Sequence, residues 1–409
     1  MLPSDSDRMR HDLLWHDELM TAFLLLWLSA QAISVLLVWI FTIGLGQSAH
    51  IAVTPRVAVL VAVKGHNVEF DRFLEHLFAQ DYPFFRVIFA VEAADDPAIA
   101  PIETWRAKLL DRVTLVVAGL SQDEGQKTTN LRAALTQVIP NDDIIVFADA
   151  DIRPSRDWLK RLVAPLVHGK ADIVSGFAWL VVKDRSLSSF VLASMAATMV
   201  TVPRLPFLNA AWGGSIAMKR ELYEALDLRE AWRGTLCDDL HLTAIAQRAG
   251  YVIAAPREIL PRLFVATHGF DDVAADALRW LMFFRVYMPA TYFLAMLGLT
   301  FAAAGWIVAF LGTLVVLPTA IAALIAAFVL AVLRTAGRAV IVARLWSRAG
   351  LHENRFFFLL DPLLTPLAAI LNATYGWFAL FVRRTTWAGI TYESRGPKET
   401  RVLSRHSMM

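Results

Sequence analysis

Apolar runs long enough to cross a bilayer restrict this chain more than any other feature. A helix needs about 20 consecutive, mostly apolar residues to span the hydrocarbon core. Met20 to Gly44 meets that requirement without a small-residue cleavage site, which predicts a retained anchor rather than a removed leader. From Val286 to Leu333 a second apolar stretch is interrupted at Leu317-Pro318, which predicts two helices over roughly 290–312 and 316–334. A fourth segment, Phe357 to Val382, carries Pro362 and Pro366 in its first half, so that half is expected to kink or to lie at the interface. Composition agrees: 57% of the residues are hydrophobic and mean hydropathy is +0.50, above the usual range for a soluble domain. A formal net charge of +2 gives no footing for nucleic acid, and a lone cysteine, Cys237, excludes an internal disulfide framework or a cysteine zinc cluster.

Residues 46–288 contain no such unbroken span. Short β-branched runs, Val57–Val63, Val87–Val91, Val113–Val117 and Ile144–Ala148, alternate with helix-like segments near 68–80, 98–110 and 128–139. That alternation predicts an α/β domain on a mainly parallel sheet. Ligands of such sheets bind beyond the carboxyl ends of the strands. The expected division is therefore a transmembrane helix at 18–45, a catalytic domain at 46–288, a C-terminal transmembrane region of about three helices at 289–383, and a basic tail at 384–409.

Acidic and basic residues cluster where that rule directs attention. The fourth strand ends in Asp149-Ala150-Asp151. Hard divalent cations take oxygen ligands and are often shared between a carboxylate and phosphates, so this pair can hold magnesium or manganese against a diphosphate; it can also be a solvated turn. Asp238-Asp239 precedes a helical run, Leu240 to Ala249, and reads either as an acidic first turn or as the site of a general base. Gly125 to Leu131 opens a helix with Lys127 and free backbone amides, a setting that suits a diphosphate or simply caps a surface helix. Glu92, Asp95 and Asp96 follow the second strand as nucleotide contacts or as solubilising loop residues. Arg279-Trp280, with Arg285 and Tyr287, stands just ahead of the membrane. These residues fit an interfacial aromatic and basic belt, or a platform under an acceptor.

In order and spacing these motifs resemble the ceramide glucosyltransferases, glycosyltransferase family 21, over roughly residues 20–380. The resemblance runs through Val63-Lys64-Gly65, Gln80-Asp81-Tyr82-Pro83, Phe89-Ala90-Val91-Glu92, Asp95-Asp96-Pro97-Ala98 and Lys127-x-x-Asn130-Leu131. It continues through Asp149-Ala-Asp151-Ile152-Arg153, Gly213-Gly214-Ser215, Asp238-Asp239 and Arg279-Trp280. It implies a GT-A fold and an inverting transfer from a UDP-sugar to a membrane lipid such as ceramide, glucose being the sugar class. Carried over, Asp149 contacts the nucleotide, Asp151 holds Mg²⁺ or Mn²⁺, Asp239 is the base and Asp238 its acidic neighbour. Lys64, Glu92, Lys127 and Asn130 fall near the donor, and Trp280 with Arg279 near the acceptor. The sequence departs from the family pattern at Ala93, where an aspartate is usual, at Asp276, the first position of the arginine-tryptophan motif, and at Asp-Asp-Leu 238–240.

Two other functions use the same motifs. A processive polysaccharide synthase shares the base and metal but leans on a complete arginine-tryptophan motif and more helices. A nucleotide-sugar-sensing membrane protein needs only the binding half. The broken apolar segment from Ser188 to Leu208 is expected either as an interfacial amphipathic helix admitting the lipid headgroup or as a core helix of the α/β domain. Arg334, Arg338, Arg344, Arg348 and Arg355 fall between the third and fourth apolar segments and predict a cytosolic loop, hence a cytosolic catalytic domain; arginine and alanine dominance points to a bacterial inner membrane. The tail arginines ask for the same side, which a full crossing by Phe357–Val382 would deny them.

Overall fold

The computed structural model describes residues 5–46, 51, 53–201, 209–315 and 317–406. They fall into two compact units. An α/β unit comprises Gly46–Asp184, Arg204–Tyr292 and Phe378–Met409; a helical unit comprises Met1–Leu45, Arg185–Pro203 and Phe293–Trp377.

In the α/β unit the strands β1 (Val57–Ala62), β2 (Phe85–Val91), β3 (Val113–Val117) and β4 (Ile144–Asp149) are parallel neighbours in the order β3-β2-β1-β4. The short strands β5 (Ile152–Arg153), β6 (Ile173–Ser175), β7 (Trp179–Val182), β8 (Ser215–Lys219), β9 (Ile253–Ala254) and β10 (Arg262–Val265) follow in the chain. Antiparallel β8 pairs with β4 and carries β6 and β9 beyond it, closing a seven-stranded sheet, while β5-β10-β7 forms a small second sheet. Helices α2 (Val68–Phe78), α3 (Ile99–Leu109), α4 (Gln126–Leu135), α5 (Trp158–Val167), α7 (Arg220–Ala225), α8 (Leu228–Ala231), α9 (Asp238–Arg248) and α10 (Phe270–Tyr287) flank these sheets.

The near-continuous apolar character of the parallel strands has a direct cause: both faces are covered. Val57, Val59 and Val61 pack with Phe73 and Leu77 of α2 and Leu162 of α5. Ala58 and Leu60 point to the other face, toward Leu131 of α4 and Leu242 of α9. The strand ends, with their polar residues, are thereby the part of this sheet left for chemistry.

Residues 384–405, read as a basic tail, form a third, antiparallel sheet of β11 (Arg384–Trp387), β12 (Ile390–Gly396) and β13 (Glu399–Arg405). This sheet belongs to the α/β unit. Ile390 and Tyr392 share a buried core with Leu236, Cys237 and Leu240 and with Met282, Phe283 and Tyr287 of α10. Arg285 donates to the carbonyls of Leu380 and Val382, fixing the entry of the chain into β11.

The helical unit holds α1 (Asp5–Thr42), α6 (Leu187–Val200), most of α11 (Pro289–Leu314), α12 (Pro318–Glu353) and α13 (Arg355–Ala379). Among the described residues four helices are long and apolar enough to cross a membrane: Glu18–Thr42, Pro289–Leu314, Pro318–Glu353 and Arg355–Ala379. Small residues bring them close. A side chain at Gly305 would collide with Trp27, which instead meets Trp306 edge-on at 5.1 Å. Leu25, Leu36, Leu297, Leu311, Ile325 and Leu363 remain largely exposed, an apolar surface suited to lipid.

Two expectations are corrected here. The arginines from 334 to 348 stand on α12, which runs on to Glu353 with a break at Ser347, and form no loop. Arg334 and Arg338 are buried, Arg338 pairing with Asp361 of α13 at 2.7 Å, so they give no account of which side is cytosolic. The described part of the 188–208 segment, α6, is not amphipathic. It is apolar all round and buried on nearly every side within the helical unit, where Ser194 donates to Asp361. Pro203, Arg204 and Pro206 lie outside the described residues.

Candidate active site

Three loops converge at the carboxyl ends of β1, β2 and β4. β4 delivers Asp149 at its last position and Asp151 two residues on. α4 begins at Gln126, after the loop 118–125, and carries Lys127 in its first turn. α9 begins at Asp238, so the acidic pair occupies its first turn, where the helix dipole favours negative charge.

Lys127 ties the three together. Its Nζ lies 2.7 Å from Asp149 Oδ1 and 3.4 Å from Asp238 Oδ1. Burial works against this ammonium, but the carboxylates of Asp149, Asp238 and Asp239 outweigh it and hold its pKa well above the ordinary lysine value. Room for the cluster comes from Gly213. A methyl there would stand 2.5 Å from Lys127 Nζ, 3.1 Å from Asp239 Oδ2 and 3.2 Å from Asp238 Oδ2. Gly125 is fixed for a similar reason: a side chain would meet the Leu236 carbonyl at 2.6 Å.

The two acids of the pair sit differently. Asp238 is buried, and among the described residues its Oδ2 has no hydrogen-bond partner. Burial pushes its carboxyl up to about 7 against the pull of Lys127, with Asp239 and Asp149 adding to the rise. Asp239 keeps an open face. Its Oδ2 accepts from the Gly213 amide at 2.7 Å, and its Oδ1 accepts from the Leu240 amide at 2.7 Å and the Cys237 thiol at 2.8 Å. Burial and the adjacent carboxylates keep that thiol protonated, well above its usual range, so it stays a donor. Three donors orient one partly exposed carboxylate, an arrangement able to accept a proton. Tyr287 of α10 secures the loop from behind, its hydroxyl accepting from the amides of Leu236 and Cys237.

Asp151 is exposed, and the protein packed around it together with the charge of Asp149 raises its carboxyl above the ordinary aspartate value. Glu92 and Lys64 form an ion pair at the ends of β2 and β1. Because β1 pairs with both β2 and β4, Glu92 and Asp149 stand at the same sheet edge with β1 between them. Asp96 accepts from the amides of Gly65 and Ala98 and shapes that edge. Asn130 is buried with its amide fully engaged: it donates to the carbonyls of Val63 and Ala90 and accepts from Gln126. It braces the strand ends rather than presenting a free group.

Arg279 pairs with Asp276 at 2.8 Å, so the residue that departs from the family pattern holds the arginine in place. Trp280 is half-buried on α10, with Ala277, Phe284 and Tyr287 at the helical spacings that share its face. Sequence reasoning passed over Trp387. Its ring lies 6.0 Å from Lys127 Nζ and 5.7 Å from the Arg279 guanidinium. Arg405 was counted only as tail charge, yet it pairs with Glu92 at 3.2 Å. The signal available was the Trp-Ala-Gly-Ile run at 387–390, a hairpin turn with apolar flanks.

Solved structures of similar fold include the mannosyltransferase PcManGT from Pyrobaculum calidifontis in complex with GDP-Man and Mn2+, at 22% identity, covering 87% of this chain and 99% of that chain with a TM-score of 0.46. S. aureus TarS 1-349 in complex with UDP-GlcNAc, at 13% identity, covers 86% of this chain and 100% of its own with a TM-score of 0.38. The M. tuberculosis glucosyl-3-phosphoglycerate synthase, at 19% identity, covers 56% of this chain and 80% of its own with a TM-score of 0.35. Among curated proteins no relative matches. The profile of glycosyl transferase family 21 matches residues 20–398, nearly the whole chain. By that match the chain belongs to glycosyl transferase family 21.

Proposed function

We propose that the protein is an inverting glycosyltransferase that moves a sugar of the glucose type from a UDP-sugar to a hydroxyl of a membrane lipid such as ceramide. The observation that carries this reading is Lys127, one buried ammonium held between Asp149 at a strand end and Asp238-Asp239 at a helix start. In this reading the Lys127 ammonium, now shared among carboxylates, turns to the leaving diphosphate when donor binds, beside an oriented carboxylate.

In this mechanism Asp239 takes the proton of the acceptor hydroxyl. The oxygen forms its bond to the anomeric carbon on the face opposite the diphosphate, the carbon–oxygen bond to UDP breaks, and UDP leaves with its electron pair. Lys127 stabilises that developing charge. Asp238 stays buried beside it and limits how far Lys127 can move. Asp149 and Glu92 bound the nucleotide side, and Trp280 with Arg279 the acceptor side.

The donor set also suits a hard cation. Asp149 and Asp151 offer carboxylate oxygens, and Asp151 is exposed beyond the end of the strand. Among the described residues no three acidic, histidine or cysteine side chains are arranged to hold a metal ion by themselves, so Mg²⁺ or Mn²⁺ would be held by Asp151 and share its other positions with phosphate and water. When bound, such a cation neutralises charge on the diphosphate.

The chain leaves the α/β unit at Tyr292 and rejoins it at Phe378, with α11, α12 and α13 between. Three complete crossings would put those ends on opposite sides of a bilayer. We therefore assign α11 and α12 to a crossing hairpin and α13 to the interface, which accords with Pro362, Pro366 and the buried Asp361 in its first half. The catalytic unit and its basic C-terminal sheet then share the cytosolic side, as the positive-inside rule asks. The direct test incubates the purified protein with UDP-sugars and lipid acceptors. One hexose per lipid supports the reading, and polymer or no product refutes it.

A further inference from the structure

The C-terminal sheet is placed with unusual care for a tail. Its β12–β13 turn presses on Gly234, where a side chain would strike the Lys398 carbonyl at 2.6 Å. Val402 donates its amide to the Gln122 carbonyl, so β13 is bonded to the loop that leads into α4. Tyr392 accepts from the amide of Gln126, the first residue of α4. The β11–β12 hairpin turns through Ala388 and Gly389, both at positive φ, 48° and 74°. That matches a two-residue turn of the primed type, and alanine adopts such a conformation only when its surroundings impose it.

Two side chains from this sheet reach the cleft. Arg405, near the end of β13, donates to Glu92 at 3.2 Å, to the Ser121 carbonyl at 2.6 Å and to Gln126 Oε1 at 2.8 Å. It thereby joins the end of β2 to the loop before α4 and, through Gln126, to Asn130. Glu92 now has two cationic partners, Lys64 and Arg405, and the group carries a net positive charge at the edge where an anionic nucleotide would lie. Trp387 stands between Lys127 and Arg279, its other edge against Phe283 at 6.3 Å. A half-buried indole with two cations within 6.0 Å of its ring has more polar company than a core position requires. It offers the flat apolar surface on which a hexose ring rests.

We infer that the C-terminal sheet is a working part of the active site, in which Arg405 positions Glu92 for the nucleotide and Trp387 walls the cleft against the sugar of the donor. This rests on the UDP-sugar reading given above.

The test uses the full-length protein in detergent or nanodiscs, with UDP as the binding probe and initial rates over a range of donor and of acceptor. Arg405→Ala is expected to weaken UDP binding and raise the donor KM by about tenfold, the scale of a lost charge-assisted hydrogen bond, with the acceptor KM held. Arg405→Lys is expected to recover part of that loss. Trp387→Ala is expected to lower kcat/KM for the donor by about tenfold or more while UDP affinity stays within about twofold, and Trp387→Phe to recover most of it. Arg401→Ala, an exposed position on the same strand, is the control and is expected to match wild type. Wild-type donor kinetics in both alanine variants would overturn the inference. So would losses that follow melting temperature alone, without the split between donor and acceptor KM or rescue by the conservative variants. A wild-type protein that binds no UDP would instead refute the donor reading itself.

Discussion

The amide of Gly213 donates to Asp239 Oδ2 at 2.7 Å, tying the turn before β8 to the first turn of α9. A methyl on Gly213 would fall 2.5 Å from Lys127 Nζ, the far end of a flexible side chain. Gly213→Ala is therefore expected to destabilise the protein measurably, because the largely buried lysine must give up its carboxylate partners to make room. Displacing it from Asp149 and Asp238 should also cut kcat/KM at least tenfold, about the effect of losing one charge-assisted contact. Melting temperature and initial rate on the same preparation check this. An active variant with an undisturbed lysine would contradict it.

Asp238 gives a pH-dependent stability. Its folded-state carboxyl titrates at about 7, above the ordinary 3.8, because it is buried beside other carboxylates. The folded state therefore holds this proton more tightly than the unfolded chain does. The wild type loses stability from this group as pH rises between those two values, with no further loss above the upper one. Asp238→Asn is neutral throughout. Its stability relative to wild type is expected to improve from about pH 4 to about pH 7 and then level off. Denaturation of both proteins across that range tests it, and a pH-independent difference would refute it.

Asp151 is expected to govern divalent metal dependence. Chelator should stop transfer, and added Mg²⁺ or Mn²⁺ should restore it. Asp151→Asn should raise the metal concentration needed for half-maximal rate by about tenfold or more, the scale of a lost charged ligand. Metal titrations of rate and of UDP binding provide the readout, and full activity in excess chelator would remove the cation from the mechanism.

Within the helical unit, Asp361 accepts from Ser194, Thr335 and Arg338, joining α6, α12 and α13. Asp361→Ala leaves the buried Arg338 guanidinium without its carboxylate and is expected to destabilise the protein by about 3–5 kcal/mol. Replacing Asp361 and Arg338 together with apolar residues should restore much of that. Detergent-resistant melting of the single and double variants distinguishes the outcomes, and equal stability of Asp361→Ala and wild type would show that the pair is immaterial.

The sequence was most readable where burial is two-sided. The runs Val57–Val63 and Ile144–Ala148 are apolar without a break because helices cover both faces of β1 and β4, and the observed strands fall within a residue or two of them. Asp149, Asp151, Lys127 and Asp238-Asp239 could be found because each follows a strand or opens a helix at that sheet edge. The C-terminal sheet was hidden for the opposite reason. Its strands alternate arginine, threonine and glutamate with few apolar residues, and its turn uses Ala388-Gly389 where asparagine or aspartate is the usual sign. Arginine also misled on α12. Charge normally marks an exposed loop, but Arg338 is buried because Asp361, distant in sequence, neutralises it. Asn130 sits in a donor-site motif, yet its amide is spent on the carbonyls of Val63 and Ala90, a use that only the folded chain reveals.

In the proposed mechanism Asp239 accepts the proton of the lipid hydroxyl. Asp239→Asn keeps the size of the side chain and its place between Gly213 and Leu240 but cannot serve as the base. The deciding measurement is glycolipid formation by this variant, run beside its affinity for UDP. A positioned base contributes ~10²–10⁴-fold, so transfer is expected to fall by at least about a hundredfold while UDP binds within about twofold of wild type. Transfer at the wild-type rate would contradict the assignment of the base and the mechanism built on it.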